Sequence, residues 1–237
     1  MKTIGLLGGM SWESTVLYYQ MINEGVRERL GGLHSAPILM HSVDFAEIEN
    51  YQVSGQWERA GQKLAAAAAG LEQAGADMIL ICTNLMHKVA PAIEAQISVP
   101  LLHIADAAGR AIKQQGLQKV GLLGARYTME EDFYRQRLLD KFGIEVVIPE
   151  AKERELVHRV IFDELCQGKV TGSARRSYLA IIENLCARGA EGVILGCTEI
   201  PLLLGPDDID LPLFNTTALH ADLALEHCFA EIATGAA

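Results

Sequence analysis

Short apolar runs alternate along the chain with longer segments whose apolar positions recur at helical spacing. "PILMHSVDF" (37–45) precedes "WERAGQKLAAAAAGLEQAG" (57–75), and "IEVVIP" (144–149) precedes "ERELVHRVIFDELCQG" (153–168). This alternation predicts strands joined by helices, and hence parallel sheets flanked by helices, an α/β fold. Two further helices are expected over "WESTVLYYQMINEGVRERL" (12–30), stopping at Gly31-Gly32, and "MEEDFYRQRLLDKFG" (129–143), stopping at Gly143. Glycine is the usual terminator of a helix.

The pattern occurs twice. "GLLG" stands at Gly5–Gly8 and again at Gly121–Gly124, an offset of 116. "LEQAGAD" (71–77) matches "LCARGAE" (185–191) at an offset of 114, each closing a helix and opening an apolar strand. The repeat predicts two similar α/β domains related by a pseudo-two-fold axis, 1–115 and 116–215. A C-terminal helix over 216–237 is expected to pack back on the first. Parallel sheets gather chemistry at the carboxyl ends of their strands, which places the expected site in a cleft between the halves.

Those ends carry "ICTN" (81–84) and "GCTE" (196–199). Matching the letters Cys-Thr needs an offset of 115 and pairs Cys82 with Cys197. Matching the preceding "GA" elements needs 114 and pairs Thr83 with Cys197. Successive strand residues point to opposite faces, so the single step decides which side chain is equivalent. The longer match lies at 114 (Leu71/Leu185, Gly75/Gly189, Ala76/Ala190, Asp77/Glu191), so Thr83 is set against Cys197 and Cys82 is read as a small buried hydrophobe.

Composition narrows the chemistry. A formal net charge of −10 disfavours nucleic acid and anionic membrane surfaces. "MKTIGLLGGMSWEST" shows no secretory pattern and "LAAAAAGL" (64–71) is too short to span a bilayer, so a cytoplasmic protein is expected. The five cysteines (82, 166, 186, 197, 228) form no C-x-x-C pair and read as free thiols. No metal-ligand cluster is visible. Neither glycine turn is G-x-G-x-x-G, and "GKVTGS" (168–173) has Asp163 where a P-loop needs glycine, which sets nucleotide binding aside.

"GLLGGMSWEST", "CTNLMH", "GLLGARYTMEEDFY", "IFDELCQGK" and "GCTEI" together resemble the cofactor-independent aspartate/glutamate racemases. The likeness spans the chain and is nearest to the bacterial L-aspartate/glutamate-specific or broad-specificity branch. Such enzymes carry a cysteine in each half, one thiolate removing the α-proton and the opposite thiol protonating the other face. The resemblance puts Cys197 at the second position and, through Asn84 and His87, Thr83 at the first. It implies Met10, Gln52, Asn84, Thr128 and Thr198 as substrate-binding residues, no cofactor, and a homodimer. A threonine hydroxyl is far less acidic than a thiol, so action on L-substrates much better than on D-substrates is implied. Where some aspartate racemases carry an arginine in a loop of the first half, this chain has Tyr51-Gln52 in "DFAEIENYQVSGQW" (44–57), which leaves broad specificity open.

Other readings stand beside these. Thr128 with Glu131 spells a capping box, T-x-x-E. His87 is read as a supporting or helix-start residue rather than a base, pointing away from the strand tip, and Arg126 as an anion-binding or a solvated loop arginine. Glu199, following Cys-Thr, is read as orienting the strand-end loop. Competing functions are a single-thiol decarboxylase of malonates and an amino-acid sensor that binds without turnover.

Overall fold

The computed structural model describes residues 1–230. The chain divides into two compact units, residues 1–104 with the chain from Thr217 on, and Ala105–Thr216. Each contains one four-stranded, all-parallel sheet. The first has the order β2-β1-β3-β4, with β1 Ile4–Gly8, β2 Ile38–Ser42, β3 Met78–Ile81 and β4 Leu101–Leu102. The second has the order β6-β5-β7-β8, with β5 Lys119–Gly124, β6 Glu145–Val147, β7 Val193–Gly196 and β8 Leu213–Asn215.

The helices connecting them start where the local chemistry allows. In α1 (Trp12–Leu30), Ser11 is the N-cap, and Gly31 ends the helix at φ 71° with its N–H on the Arg27 carbonyl. α2 (Phe45–Val53) was expected to be a loop; Asp44 caps it, accepting from the Ala46 N–H at 3.1 Å. α3 (Trp57–Gln73) buries Leu64, Ala65, Ala67, Ala68 and Leu71 in the core of the first unit. Each leucine so buried contributes roughly 1.5–3 kcal/mol. α4 is Ala90–Glu94 and α5 is Ile104–Gln114.

The helix expected over 129–143 is two, α6 (Arg126–Glu130) and α7 (Asp132–Phe142), because Glu131 turns extended at φ −79°, ψ 149°. The Thr128–Glu131 capping box does not form: Thr128 lies inside α6, and Glu131 is the residue preceding α7. A capping box does open α8 (Ala151–Asp163), from Glu150 and Glu153. α9 is Gly172–Ala187 and α10 is Thr216–Phe229; the rest of the expected C-terminal helix, 231–237, lies outside the described residues.

α5 follows β4 but groups with the second unit. Its Asp106 takes Arg137 at 2.5 and 2.8 Å and Lys141 at 2.7 Å, both on α7. The division therefore precedes this helix, whereas 115 follows it. α10 follows β8 and groups with the first unit, where the Cys228 carbonyl accepts the Lys2 N–H at 3.0 Å. Among the described residues no helix is long and apolar enough to cross a membrane.

The ladders settle the register of the repeat. Gly5 lies opposite Ile79 and Gly121 opposite Val193. Gly5 to Gly121 is an offset of 116, so Ile79 and Val193, 114 apart, are equivalent, and counting on makes Thr83 the equivalent of Cys197. Cys82 is thereby the repeat equivalent of Gly196; it is fully buried, and burial pushes its thiol far up.

Candidate active site

In each sheet the chain leaves the two central strands in opposite directions, the arrangement that opens a crevice at their carboxyl ends. In the first unit these ends release Gly8–Ser11 and Cys82–Asn84. The β1 turn is pinned by Thr15, whose hydroxyl accepts the Gly9 N–H and donates to the Ser11 carbonyl, both at 2.9 Å. Gly9 has φ 90°, and a Cβ there would collide with the Val43 carbonyl oxygen. Gly9→Ala is thus expected to lower unfolding free energy by at least about 1–3 kcal/mol, read as a fall in the urea midpoint at constant slope. Met10 is 4% exposed and packs in the core of this unit.

Thr83 is half-buried at the β3 tip, and Asn84 after it is buried and leads into a 3-10 turn, Leu85–Val89. Gln52, on α2, donates from Nε2 to the Met86 sulfur in that turn at 3.1 Å. Tyr51 turns to Glu47, which also holds Lys63 at 2.6 Å. His87 does not point away from the tip. Its Nδ1 lies 2.8 Å from the Thr83 carbonyl, and its Nε2 accepts the Ile104 N–H at 3.2 Å. Burial, then the nearby His103 and His220, hold the ring well below the ordinary histidine range, so it is neutral.

In the second unit the corresponding ends release Gly124–Arg126 and Cys197–Glu199. Thr128, 1% exposed, packs on the two strand tips: a Cβ at Gly124 would lie 3.0 Å from the Gly196 oxygen and 3.3 Å from the Thr128 Cβ. The Arg126 N–H donates to His158 Nδ1 at 3.4 Å, while its side chain is exposed. Cys197 is half-buried, and its Sγ–H donates to Glu199 Oε2 at 2.9 Å. The Thr198 hydroxyl donates to the same oxygen at 2.7 Å. Desolvation, then the Glu199 carboxylate, hold the Cys197 thiol well above its ordinary range, so at rest the proton stays on sulfur and faces a carboxylate.

Of the residues expected from the sequence, Met10, Thr83 and Asn84 thus gather at the strand ends of the first unit, with Gln52 against the turn that follows Asn84. Thr128, Cys197 and Thr198 gather in the second. Two features escaped the sequence reading. Glu199 is the thiol's acceptor, for which a carboxylate two residues beyond a strand-end cysteine is the available signal. The buried rings of His87, His103 and His220 come from three distant segments, and no local pattern marks them. Among the described residues no group of three His, Cys, Asp or Glu is arranged to hold a metal ion.

The Asp/Glu/Hydantoin racemase family model matches residues 7–224. A glutamate racemase of Shewanella loihica is 30% identical over 132 residues, 55% of this chain and 48% of that enzyme, so the chain matches about half the length of this relative. Among solved structures, a candidate Asp/Glu racemase from Yersinia pestis is 54% identical with a TM-score of 0.93, covering 97% of this chain and all (100%) of that one. An aspartate racemase homologue from Pyrococcus horikoshii is 35% identical with a TM-score of 0.86, covering 96% and 99%. With its doubled parallel sheet, its repeat register and a match over nearly its whole length, the chain belongs to the Asp/Glu/Hydantoin racemase family.

Proposed function

We propose that the protein is a cofactor-independent racemase of L-aspartate and L-glutamate, with Cys197 as the base and Thr83 in the place of a second thiol. The observation that carries this reading is the Cys197 thiol directed at Glu199 at 2.9 Å. Glu199 accepts the thiol proton, the thiolate takes the α-proton, and the carbanion's charge spreads into the substrate carboxylate. Donors suited to that charge are Asn84 and the backbone N–H groups of Met10 and Ser11 in the first unit and of Thr128 in the second. Met10, Gln52, Thr128 and Thr198 complete the binding set. The Thr198 hydroxyl, held by Glu199, also steadies the acceptor.

Return of the proton from Cys197 regenerates the L-enantiomer, so exchange with solvent outruns racemisation. Delivery from Thr83 to the other face is slow because a hydroxyl is a weak acid. The names of the relatives support acidic substrates, and the neutral Gln52 leaves room for others. A cytoplasmic homodimer belongs to the same reading.

The test is α-proton exchange in D2O followed by NMR, on L- and D-aspartate separately. Exchange from L is expected to dominate, and Thr83→Cys to gain exchange from D. Equal rates from both enantiomers in the unmutated protein refute the one-thiol mechanism.

A further inference from the structure

We infer that His87 is a positioning residue that sets the place of Thr83 by gripping its peptide carbonyl. This rests on the assignment of Thr83 to the second face of the α-carbon. The ladder between β3 and β4 has only two paired positions, Ile79 with Leu101 and Leu80 with Leu102. Beyond it, His87 spans the two strands, Nδ1–H donating to the Thr83 carbonyl at 2.8 Å and Nε2 accepting the Ile104 N–H at 3.2 Å. A carbonyl only accepts and an amide N–H only donates, so the two partners dictate the tautomer. The imidazole takes the place of one more ladder bond, at the residue where backbone pairing has run out.

The ring is itself held. It is 2% exposed, with the His103 ring centroid at 4.5 Å and that of His220 at 5.6 Å. His220 donates from Nε2 to the Leu102 carbonyl at 2.7 Å and accepts from the Tyr18 hydroxyl at 2.8 Å. The end of β4 is thus gripped on either side of His103, at Leu102 and at Ile104, by rings of opposite tautomer. A second proton on His87 would set an N–H against the Ile104 N–H, so only the neutral ring fits.

The second unit solves the same problem differently. The equivalent of His87 at the 114 offset is Pro201, which has no side-chain donor or acceptor. There the tip residue is held through its side chain, Cys197 on Glu199, and the Thr216 hydroxyl donates to the Leu195 carbonyl at 2.9 Å. Glu199 acts on the thiol's proton as well as its place, whereas His87 acts on place alone.

The experiment uses Thr83→Cys as parent, so that each face of the α-carbon has its own thiol and its own readout. His87→Phe keeps the ring and loses both bonds; His87→Gln keeps one donor and one acceptor on its amide. His87→Phe is expected to reduce exchange from D-aspartate about 10- to 100-fold while leaving exchange from L-aspartate unchanged, with His87→Gln recovering part of the loss. Equal losses on both faces, or none on either, overturn the inference. So does a parent that exchanges L- but not D-aspartate, because position 83 then has no part in that face. No exchange from L-aspartate in the parent fails the functional reading instead. The clamp is then judged by long-range 1H–15N NMR of the unmutated protein. A neutral Nδ1–H ring from about pH 5 to 8 upholds it, and an Nε2–H or doubly protonated ring overturns it.

Discussion

Cys197→Ser is expected to abolish α-proton exchange from L-aspartate, with a loss of about 10³-fold or more. The serine hydroxyl has nearly the shape of the thiol and keeps a donor for Glu199, so the strand tip is preserved. What changes is acidity: handing its proton to a carboxylate yields a usable thiolate from cysteine and no usable alkoxide from serine. Half-buried Cys197 carries no large packing role, so the thermal midpoint should stay within a few degrees. Binding of L-aspartate, followed by calorimetry, should survive. That combination separates an enzyme from a sensor, since a binding module loses nothing measurable. Exchange retained in Cys197→Ser would remove the thiol from the mechanism altogether.

Glu199→Gln sets two effects of opposite sign against each other. The carboxylate is, after desolvation, the main reason the Cys197 thiol is held above its ordinary range, so removing the charge brings the thiol down and favours thiolate. The amide oxygen still accepts from Cys197 and Thr198 but takes up no proton, so the route by which the thiolate forms is lost. If that route dominates, exchange from L-aspartate at neutral pH falls by about 10²- to 10⁴-fold. It should then recover as pH rises, because hydroxide replaces Glu199 and the thiol now titrates at lower pH than in the unmutated protein. A rise in neutral-pH exchange would mean that Glu199 only suppresses the thiolate, and another group must then receive the proton.

On which first-half residue is equivalent to Cys197, sequence and structure agree. The 114 offset was legible because helix-closing "GA" and the strand behind it are local features, repeated with their spacing intact. The ladders reach the same pairing from the other repeated element, by carrying the GLLG equivalence of β1 and β5 across to the neighbouring strands. Other expectations failed where a local pattern had more than one outcome. Thr128-x-x-Glu131 is a sound capping sequence, yet the chain starts its helix at Arg126 and breaks it at Glu131, which buries Thr128 against the strand tips. The segment 45–53 interleaves five apolar residues with glutamates, Asn50 and Gln52, and its reading as loop came from the resemblance alone. Asp44 caps it and Ile48 anchors it, and it is a helix.

The sequence by itself determined the doubled α/β plan, the strand-end placement of Thr83 and Cys197, and the ends of helices at Gly31 and Gly143. Each follows from hydrophobic period, backbone freedom at glycine, or a repeat, all of which act between near neighbours. Only the tertiary structure decided that His87 turns back to hold Thr83, that His103 and His220 close around it, and that α5 and α10 each group with the unit other than the one whose strand precedes them. It also decided that the Cys197 thiol is turned onto the Glu199 carboxylate. The histidine rings and the helix groupings depend on which distant groups share one desolvated space, where an imidazole must find partners for its polar atoms; for Cys197 and Glu199, two residues apart, the turn after β7 brings thiol and carboxylate together.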